Sequence, residues 1–260
     1  MIRTLLIIAG ASLVLALATL SGAAALGGRE MARDGWNWTV NTDDGNSVRF
    51  DRVRGGGTED LGPVTTRTVP WSGGDALSVD LGANVEYVQG DQANVVISGP
   101  KGLADRIRFE NGRLSMVDGE DRVVFGWNNN GISARTERDE LKIVVTAPNV
   151  TRFRLNGSQR LEISGYDQPS MTVDVNGSGE ISARGTTKAL TLSISGSGEA
   201  DLAQLATEDA TVTVSGSGDA RLAPTKSGDV TISGSGDVDF STRPPAVTSR
   251  ITGSGSFNQG

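Results

Sequence analysis

Apolar and polar residues alternate along short segments through most of the chain after residue 70. The alternation is clearest over 77–81, 85–87, 95–97, 107–116 and 141–145. A period of two places successive side chains on opposite faces of a β-strand, and Asn111-Gly112 is a strong hairpin-turn signal. No window of a dozen residues after residue 29 has a helical period, so the pattern predicts an all-β fold.

A glycine motif recurs through the C-terminal half at nearly constant spacing. Gly-Ser-Gly followed by an acid occurs four times, with a worn copy at 156–158 and another at 252–256. The first glycines lie at 157, 177, 196, 216, 234 and 253, giving intervals of 20, 19, 20, 18 and 19 residues. A fixed period with strands inside each unit is typical of a solenoid. The repeat, most regular over 156–257, therefore predicts a single-stranded parallel β-helix with coils of about 19–20 residues.

The alternation continues through the glycines and assigns them to the inward-facing residues. Glycine inside a strand marks a sharp bend or the close approach of another backbone, and it tolerates positive φ. We therefore predict a coil corner where no side chain fits, with the intervening serines pointing outward. The predicted corner glycines are Gly177, Gly179, Gly196, Gly198, Gly216, Gly218, Gly234, Gly236, Gly253 and Gly255.

An acidic residue follows each full glycine motif at the same offset. Equivalent positions of successive coils stack about 4.8 Å apart, so these acids are predicted to form one outer column. One hypothesis is a solvated ladder that keeps the surface soluble; the other is a row of calcium sites, since calcium takes carboxylate oxygens. The column comprises Glu180, Glu199, Asp219 and Asp237.

The first 28 residues read as an export segment. Arg3 is the only charged residue before Arg29, and the residues between them are nearly all apolar. Such a run can span a bilayer as a helix, and the single positive charge before it predicts export of everything that follows. Two interpretations stay open: an uncleaved membrane anchor, or a signal peptide cleaved near Ala25. Either predicts an extracytoplasmic protein, in the periplasm or at the cell surface.

Two further segments separate this export segment from the regular repeat. Residues 29–70 read as a polar spacer in which 36–40 and 47–50 could pair as a hairpin, and 71–260 as the β-helix domain. Residues 118–139 interrupt the strand rhythm with Asn128-Asn129-Asn130 and mixed charges. We interpret them as an inserted loop, either gripping a ligand or disordered.

Composition excludes several classes of chemistry. The 260 residues include no Cys and no His, so the chain has no disulfide, no thiolate or histidine metal site and no Ser-His-Asp triad. The net charge of −7 argues against nucleic acid as a partner. No cofactor and no catalytic residue is predicted.

The sequence resembles the bacterial head GIN domain family of putative auto-transporter adhesins. The resemblance covers about residues 71–257 and rests on the opening strand at 77–81, the run 95–99 that ends in glycine, and the repeated Ser-Gly-Ser-Gly-Asp units. It implies a right-handed parallel β-helix in the envelope or at the surface. It also implies no catalytic residues.

These features predict a non-enzymatic envelope or surface scaffold, adhesive or ligand-binding, whose partner is an unidentified protein or glycan. The membrane would be a partner through residues 4–28 if they are not cleaved. One alternative is a calcium-dependent binding module, and another is a carbohydrate-active β-helix enzyme using Asp201, Asp219 and Asp239. An outward ladder of Thr and Ser could instead face ice or a glycan, although β-branched polar residues are common on exposed strands. The last coil offers only Ile251 and Phe257 as inward apolar residues, which predicts self-association there or cover by another chain.

Overall fold

The computed structural model describes residues 37–41, 47–54, 63–118, 120–128, 131–136 and 140–260, with side chains described for 63–118 and 140–260. Residue contacts divide the chain into two units: Met1–Asp60 with Glu120–Arg135, and Leu61–Gly119 with Thr136–Gly260. The predicted export segment, residues 1–28, lies outside the described residues. In the part of the chain that the structure describes, no helix has the length and apolar character needed to cross a bilayer.

Strands make up most of the described chain, together with one short helix, α1 (Lys101–Ala104). The strands are β1 (Asn37–Asn41), β2 (Ser47–Arg54), β3 (Val64–Pro70), β4 (Ala76–Asp80), β5 (Asn84–Gln89), β6 (Asn94–Pro100), β7 (Ile107–Glu110), β8 (Arg113–Met116), β9 (Glu120–Asn128), β10 (Gly131–Thr136), β11 (Lys142–Ala147), β12 (Arg152–Gly157), β13 (Arg160–Gly177), β14 (Glu180–Gly196), β15 (Glu199–Gly216), β16 (Asp219–Gly234), β17 (Asp237–Phe240), β18 (Ala246–Gly253) and β19 (Ser256–Gln259). The predicted all-β class is confirmed.

The smaller unit is a four-stranded sheet in the order β1-β2-β9-β10. β1 and β2 are antiparallel, with Val40 opposite Val48, and β2 pairs with β9 in parallel. The interpretation of 118–139 as a loop is wrong, because β9 and β10 occupy most of it. The apolar run 123–125 was a strand signal, but it is short and stands among charges.

The larger unit is a β-solenoid of about five turns. Its coils stack in two columns of parallel strands. The first column contains β4, β12, the C-terminal parts of β13 to β16, and β18. The second contains β5, the N-terminal parts of β13 to β16, β17 and β19. The predicted parallel solenoid is confirmed.

Inward-facing aliphatic side chains of successive coils stack on one another to form the core. One in-register stack runs through Val173, Leu192, Val212 and Val230, all at most 1% exposed. Burying such a side chain stabilises the fold by about 1.5–3 kcal/mol. Nearer the N-terminal end Tyr87, Phe153 and Tyr166 pack edge to face, and the Tyr87 hydroxyl donates to the carbonyl of Ala147 at 2.7 Å. Burial raises the pKa of Tyr87 to about 12.

The two ends of the solenoid differ. Near the N-terminal end antiparallel strands close both columns, since β6 pairs with β11 and β3, and β7 pairs with β8. At the other end β18 pairs, within the described residues, only with β16, and Ile251 is 42% exposed. Phe257 packs against Phe240 with ring centroids 4.9 Å apart. Self-association through this last coil stays a prediction.

Candidate binding surface

Each coil turns at two places. The glycine corner is the Gly-Ser-Gly motif, which leads from the first column to the second. The far bend leads from the second column back to the first, through residues 164–170, 184–189, 203–209 and 223–227. The two turns are built in different ways, and the far bend forms a groove.

The first glycine of each motif has a backbone conformation that other residues rarely adopt. Its φ is +113° at Gly177 and +120° at Gly196. A Cβ on Gly196 would lie 2.5 Å from the carbonyl oxygen of Gly177 in the preceding coil. The prediction that the first glycine of each motif faces inward is wrong. These glycines are exposed or half-buried, and a side chain there would contact the neighbouring coil. The corresponding residues with positive φ are Gly216, Gly234 and Gly253.

The second glycine of the motif faces the interior and is needed for space. A Cβ on Gly218 would lie 2.5 Å from the carbonyl oxygen of Gly198 and 2.6 Å from a methyl carbon of Ile194. Gly179, Gly198 and Gly236 are buried in the same way, and Gly255 in the last coil is half-buried. The serine between the two glycines is exposed in each full motif, as the alternation predicts.

One residue of this corner escaped the sequence reasoning. Gln159 stands where the worn first motif lacks its second glycine, and it is 2% exposed. Its side-chain amide donates to the carbonyl of Val79 in the coil before it. Aligning the worn copy with the later motifs would have placed Gln159 at a buried position.

The acidic residues do form one column. Glu180 lies opposite Glu199, and Glu199 opposite Asp219. Three of the four carboxylates have partners among the described residues. Arg160 contacts Glu180 at 2.5 Å, the backbone N–H of Asp237 donates to Asp219 at 2.9 Å, and Ser256 donates its N–H and hydroxyl to Asp237 at 2.8 Å. Among the residues with described side chains, no group of three or more acids could hold a metal ion.

Two of the three acids in the enzyme hypothesis, Asp201 and Asp239, are separated by an arginine side chain. Asp201 lies opposite Arg221, and Arg221 opposite Asp239, so the arginine stands between the two carboxylates in one column. Asp219 belongs to the acidic column two residues earlier. The arrangement therefore presents alternating charges rather than a pair of carboxylates facing one bond.

The outer face of the first column carries hydroxyl groups in register. Ser193 lies opposite Thr213, and Thr213 opposite Thr231. Parallel neighbours repeat about every 4.8 Å, so the same chemistry recurs in three successive coils. We call these residues, with Thr191 and Thr211, the hydroxyl ladder.

The far bend departs from this regularity. From the paired Leu202–Leu222 to the paired Asp209–Ser227, β15 advances seven residues and β16 only five. Pro224, opposite Thr207, has no N–H to donate, and the Thr225 hydroxyl instead donates to the Thr207 carbonyl at 2.9 Å. The pairing of neighbouring coils is therefore interrupted here.

A groove of about 520 Å³ lies at the far bend, and no sequence prediction identified it. Its lining includes Asp167, Thr186, Thr187, Lys188, Thr207 and Glu208. Thr207 is 3% exposed, and its hydroxyl has no hydrogen-bond partner in the part of the chain that the structure describes. The Thr186 hydroxyl donates to Asp167 at 3.0 Å, and Glu208 pairs with Lys226 at 2.5 Å, which raises the pKa of Lys226.

Comparisons with known proteins found a family model and solved structures similar to this chain. A family model described as "Putative auto-transporter adhesin, head GIN domain" matches residues 75–244. A solved putative adhesin (BF0245) from Bacteroides fragilis NCTC 9343 is 16% identical, with 76% of this chain and 97% of that chain covered and a TM-score of 0.59. A putative lipid binding protein from Parabacteroides distasonis ATCC 8503 is 20% identical, with 80% and 99% covered and a TM-score of 0.49. No curated protein matches the chain.

Proposed function

Because the chain belongs to the head GIN domain family of putative auto-transporter adhesins, we propose that it is a non-enzymatic binding scaffold outside the cytoplasm. The observation that carries this proposal is the hydroxyl ladder. Ser193, Thr213 and Thr231 repeat one chemistry in register along a continuous parallel sheet. A repeated polar face on a rigid support suits a partner that also repeats, such as an envelope polymer.

The alternation of charge along one row of the second column supports a binding role rather than a hydrolytic one. Arg221 separates Asp201 from Asp239. Glycoside hydrolysis by two carboxylates needs them to flank one bond, with one protonated and the other charged. Here the guanidinium of Arg221 stands in register between the two carboxylates, so they do not face each other across one bond.

The proposed location rests on the family and on the apolar N-terminal segment. A reporter that is active only in the cytoplasm, fused after Gly260, should be silent. Sequencing the N-terminus of the purified protein separates the two interpretations, since a start near Leu26 means cleavage after Ala25. Reporter activity would contradict export.

The binding function can be tested with beads that carry the purified protein. Beads should capture isolated cell envelopes, and Thr213→Glu should lower the captured amount at least tenfold because it places a charge in the centre of the ladder. Ser217→Glu, on the exposed glycine corner, is the matched control and should capture as the unaltered protein does. Failure of the unaltered protein to capture any envelope would contradict the function, and equal losses in both variants would contradict the ladder as contact face.

The last coil supplies a second contact in this proposal. Unpaired strand edges readily accept another strand, and the exposed Ile251 adds apolar surface to that edge. Sedimentation velocity should show concentration-dependent association that Ile251→Lys weakens. Association that is unaffected by Ile251→Lys would place the contact elsewhere.

A further inference from the structure

We propose that the groove at the far bend binds a short neutral oligosaccharide. The proposal deepens the binding function above and rests on it, since it names the ligand class of one site on the scaffold. Neighbouring coils differ in length at this groove, its lining contains an unsatisfied buried hydroxyl, and its charges cancel.

The groove results from steps between neighbouring coils. β15 has one more residue than β14 between the paired Ser182–Asp201 and Arg184–Gln204, and it has two more than β16 further along the bend. The extra residues cannot stay in the ladder, so the coils no longer stack flush at this turn. The resulting volume of about 520 Å³ lies within the range of small-molecule sites.

One hydroxyl in the lining of the groove is buried and has no hydrogen-bond partner among the described residues. The Thr207 hydroxyl makes no hydrogen bond although Thr207 lines the groove and is 3% exposed. Thr187, opposite it in the preceding coil, is 5% exposed, and its hydroxyl is 3.4 Å from the carbonyl of Ala189, a long hydrogen bond. Buried polar groups are normally satisfied, so two stacked hydroxyls with poor or absent partners offer their bonding capacity to a ligand.

The charges around the groove favour a neutral ligand. Asp167 and Glu208 each carry one negative charge, Lys188 carries one positive charge, and the positive Lys226 pairs with Glu208, so the charges cancel. Carboxylates accept hydrogen bonds, the ammonium group donates them, and threonine hydroxyls do both. Sugar hydroxyls also donate and accept, so a neutral saccharide matches this set of groups.

The test uses the full chain, labelled with ¹⁵N, and two neutral probes, maltotriose and triacetylchitotriose. At least one probe should cause saturable amide shifts confined to 167–168, 186–188 and 206–208. Thr207→Val removes the hydroxyl and keeps the side-chain shape, and it should weaken binding at least tenfold. Thr68→Val, exposed on β3 and outside both the groove and the hydroxyl ladder, is the matched control and should leave the affinity unchanged.

Three results would overturn the proposal: no saturable shift with either probe, shifts that map to the hydroxyl ladder, or undiminished binding by Thr207→Val. A melting temperature of Thr207→Val at or above that of the unaltered chain shows that lost binding is not lost folding. Thr187→Val supplies an independent variant and should also weaken binding. Envelope capture without trisaccharide shifts would overturn the groove alone, whereas shifts without capture would overturn the scaffold function and leave the groove standing.

Discussion

The two turns of each coil solve the same geometric problem with different groups. At the glycine corner, Gly177, Gly196, Gly216 and Gly234 remain in register from coil to coil. At the far bend the register shifts between β13 and β14, between β14 and β15, and again between β15 and β16. A turn that is held by backbone hydrogen bonds is the same in every coil. A turn that is held by side chains can differ from one coil to the next.

Hydrogen bonds show the origin of the difference. At the glycine corner the serine N–H donates to the carbonyl of the first glycine of the preceding coil, as from Ser197 to Gly177 and from Ser217 to Gly196, both at 2.8 Å. At the far bend the carbonyl of Thr207 instead accepts a hydrogen bond from the hydroxyl of Thr225. A side-chain donor depends on one residue in one coil, so the far bend can change length and form a groove.

The largest expected effect is a side chain at the glycine corner. Gly196→Val combines overpacking of about 1–3 kcal/mol with backbone strain of about 1–3 kcal/mol, because φ is +120° and the Gly177 carbonyl is in the way. Ser197→Val is the matched control and should change the free energy of unfolding by about 0.5 kcal/mol at most, since the side chain is exposed. Urea unfolding measures both. Equal midpoints would show that the corner is not sterically closed.

A glycine of the far bend should tolerate a side chain better. Gly165 also has positive φ, +65°, but a Cβ there would meet nothing within 4 Å. Gly165→Ala should therefore cost only the left-handed conformation, about 1–2 kcal/mol, and less than Gly196→Ala. A larger loss for Gly165→Ala in the same urea experiment would contradict the distinction between the two turns.

The hydroxyls of the far bend should have opposite effects. Thr225→Val removes the donor to the Thr207 carbonyl and should lower the free energy of unfolding by about 0.5–1.5 kcal/mol. Thr207→Val removes a hydroxyl that has no partner and should be neutral or stabilising by up to about 1 kcal/mol. Destabilisation by Thr207→Val would mean that its hydroxyl is satisfied in the folded chain.

The regular part of this fold could be predicted from the sequence because the pairing of successive coils requires a repeat of nearly constant length. Stacked parallel coils must return to the same point after nearly equal lengths, so the glycine spacing gives the coil length directly. The steric need at Gly218 also follows, since alternation places it inside. The first glycine escaped this reasoning because positive φ turns the Cβ direction out of the alternation, as at Gly196.

The groove and the closed N-terminal end could not be predicted in the same way. The intervals of 20 and 18 residues show that one coil is shorter, but they do not show at which turn the residues are lost. The bulge in β15 changes which residues face inward, so Thr207 is buried against the simple alternation of a long strand. The antiparallel pairing of β3 with β6 depends on contacts 30 or so residues apart, for which no repeat exists.

The acidic column beside the glycine corner should give the smallest effect. Two unit charges about 5 Å apart in water repel by about 0.8 kcal/mol, and salt reduces this. Glu199 has no partner among the described side chains, so Glu199→Gln should stabilise the chain by a few tenths of a kcal/mol. Glu180→Gln should be neutral or slightly destabilising, because it loses the exposed ion pair with Arg160. Sodium chloride and calcium chloride matched in ionic strength should therefore raise the melting temperature by the same amount. A saturable rise of several degrees with calcium alone that disappears in Glu199→Gln would instead show specific calcium sites beside the glycine corner.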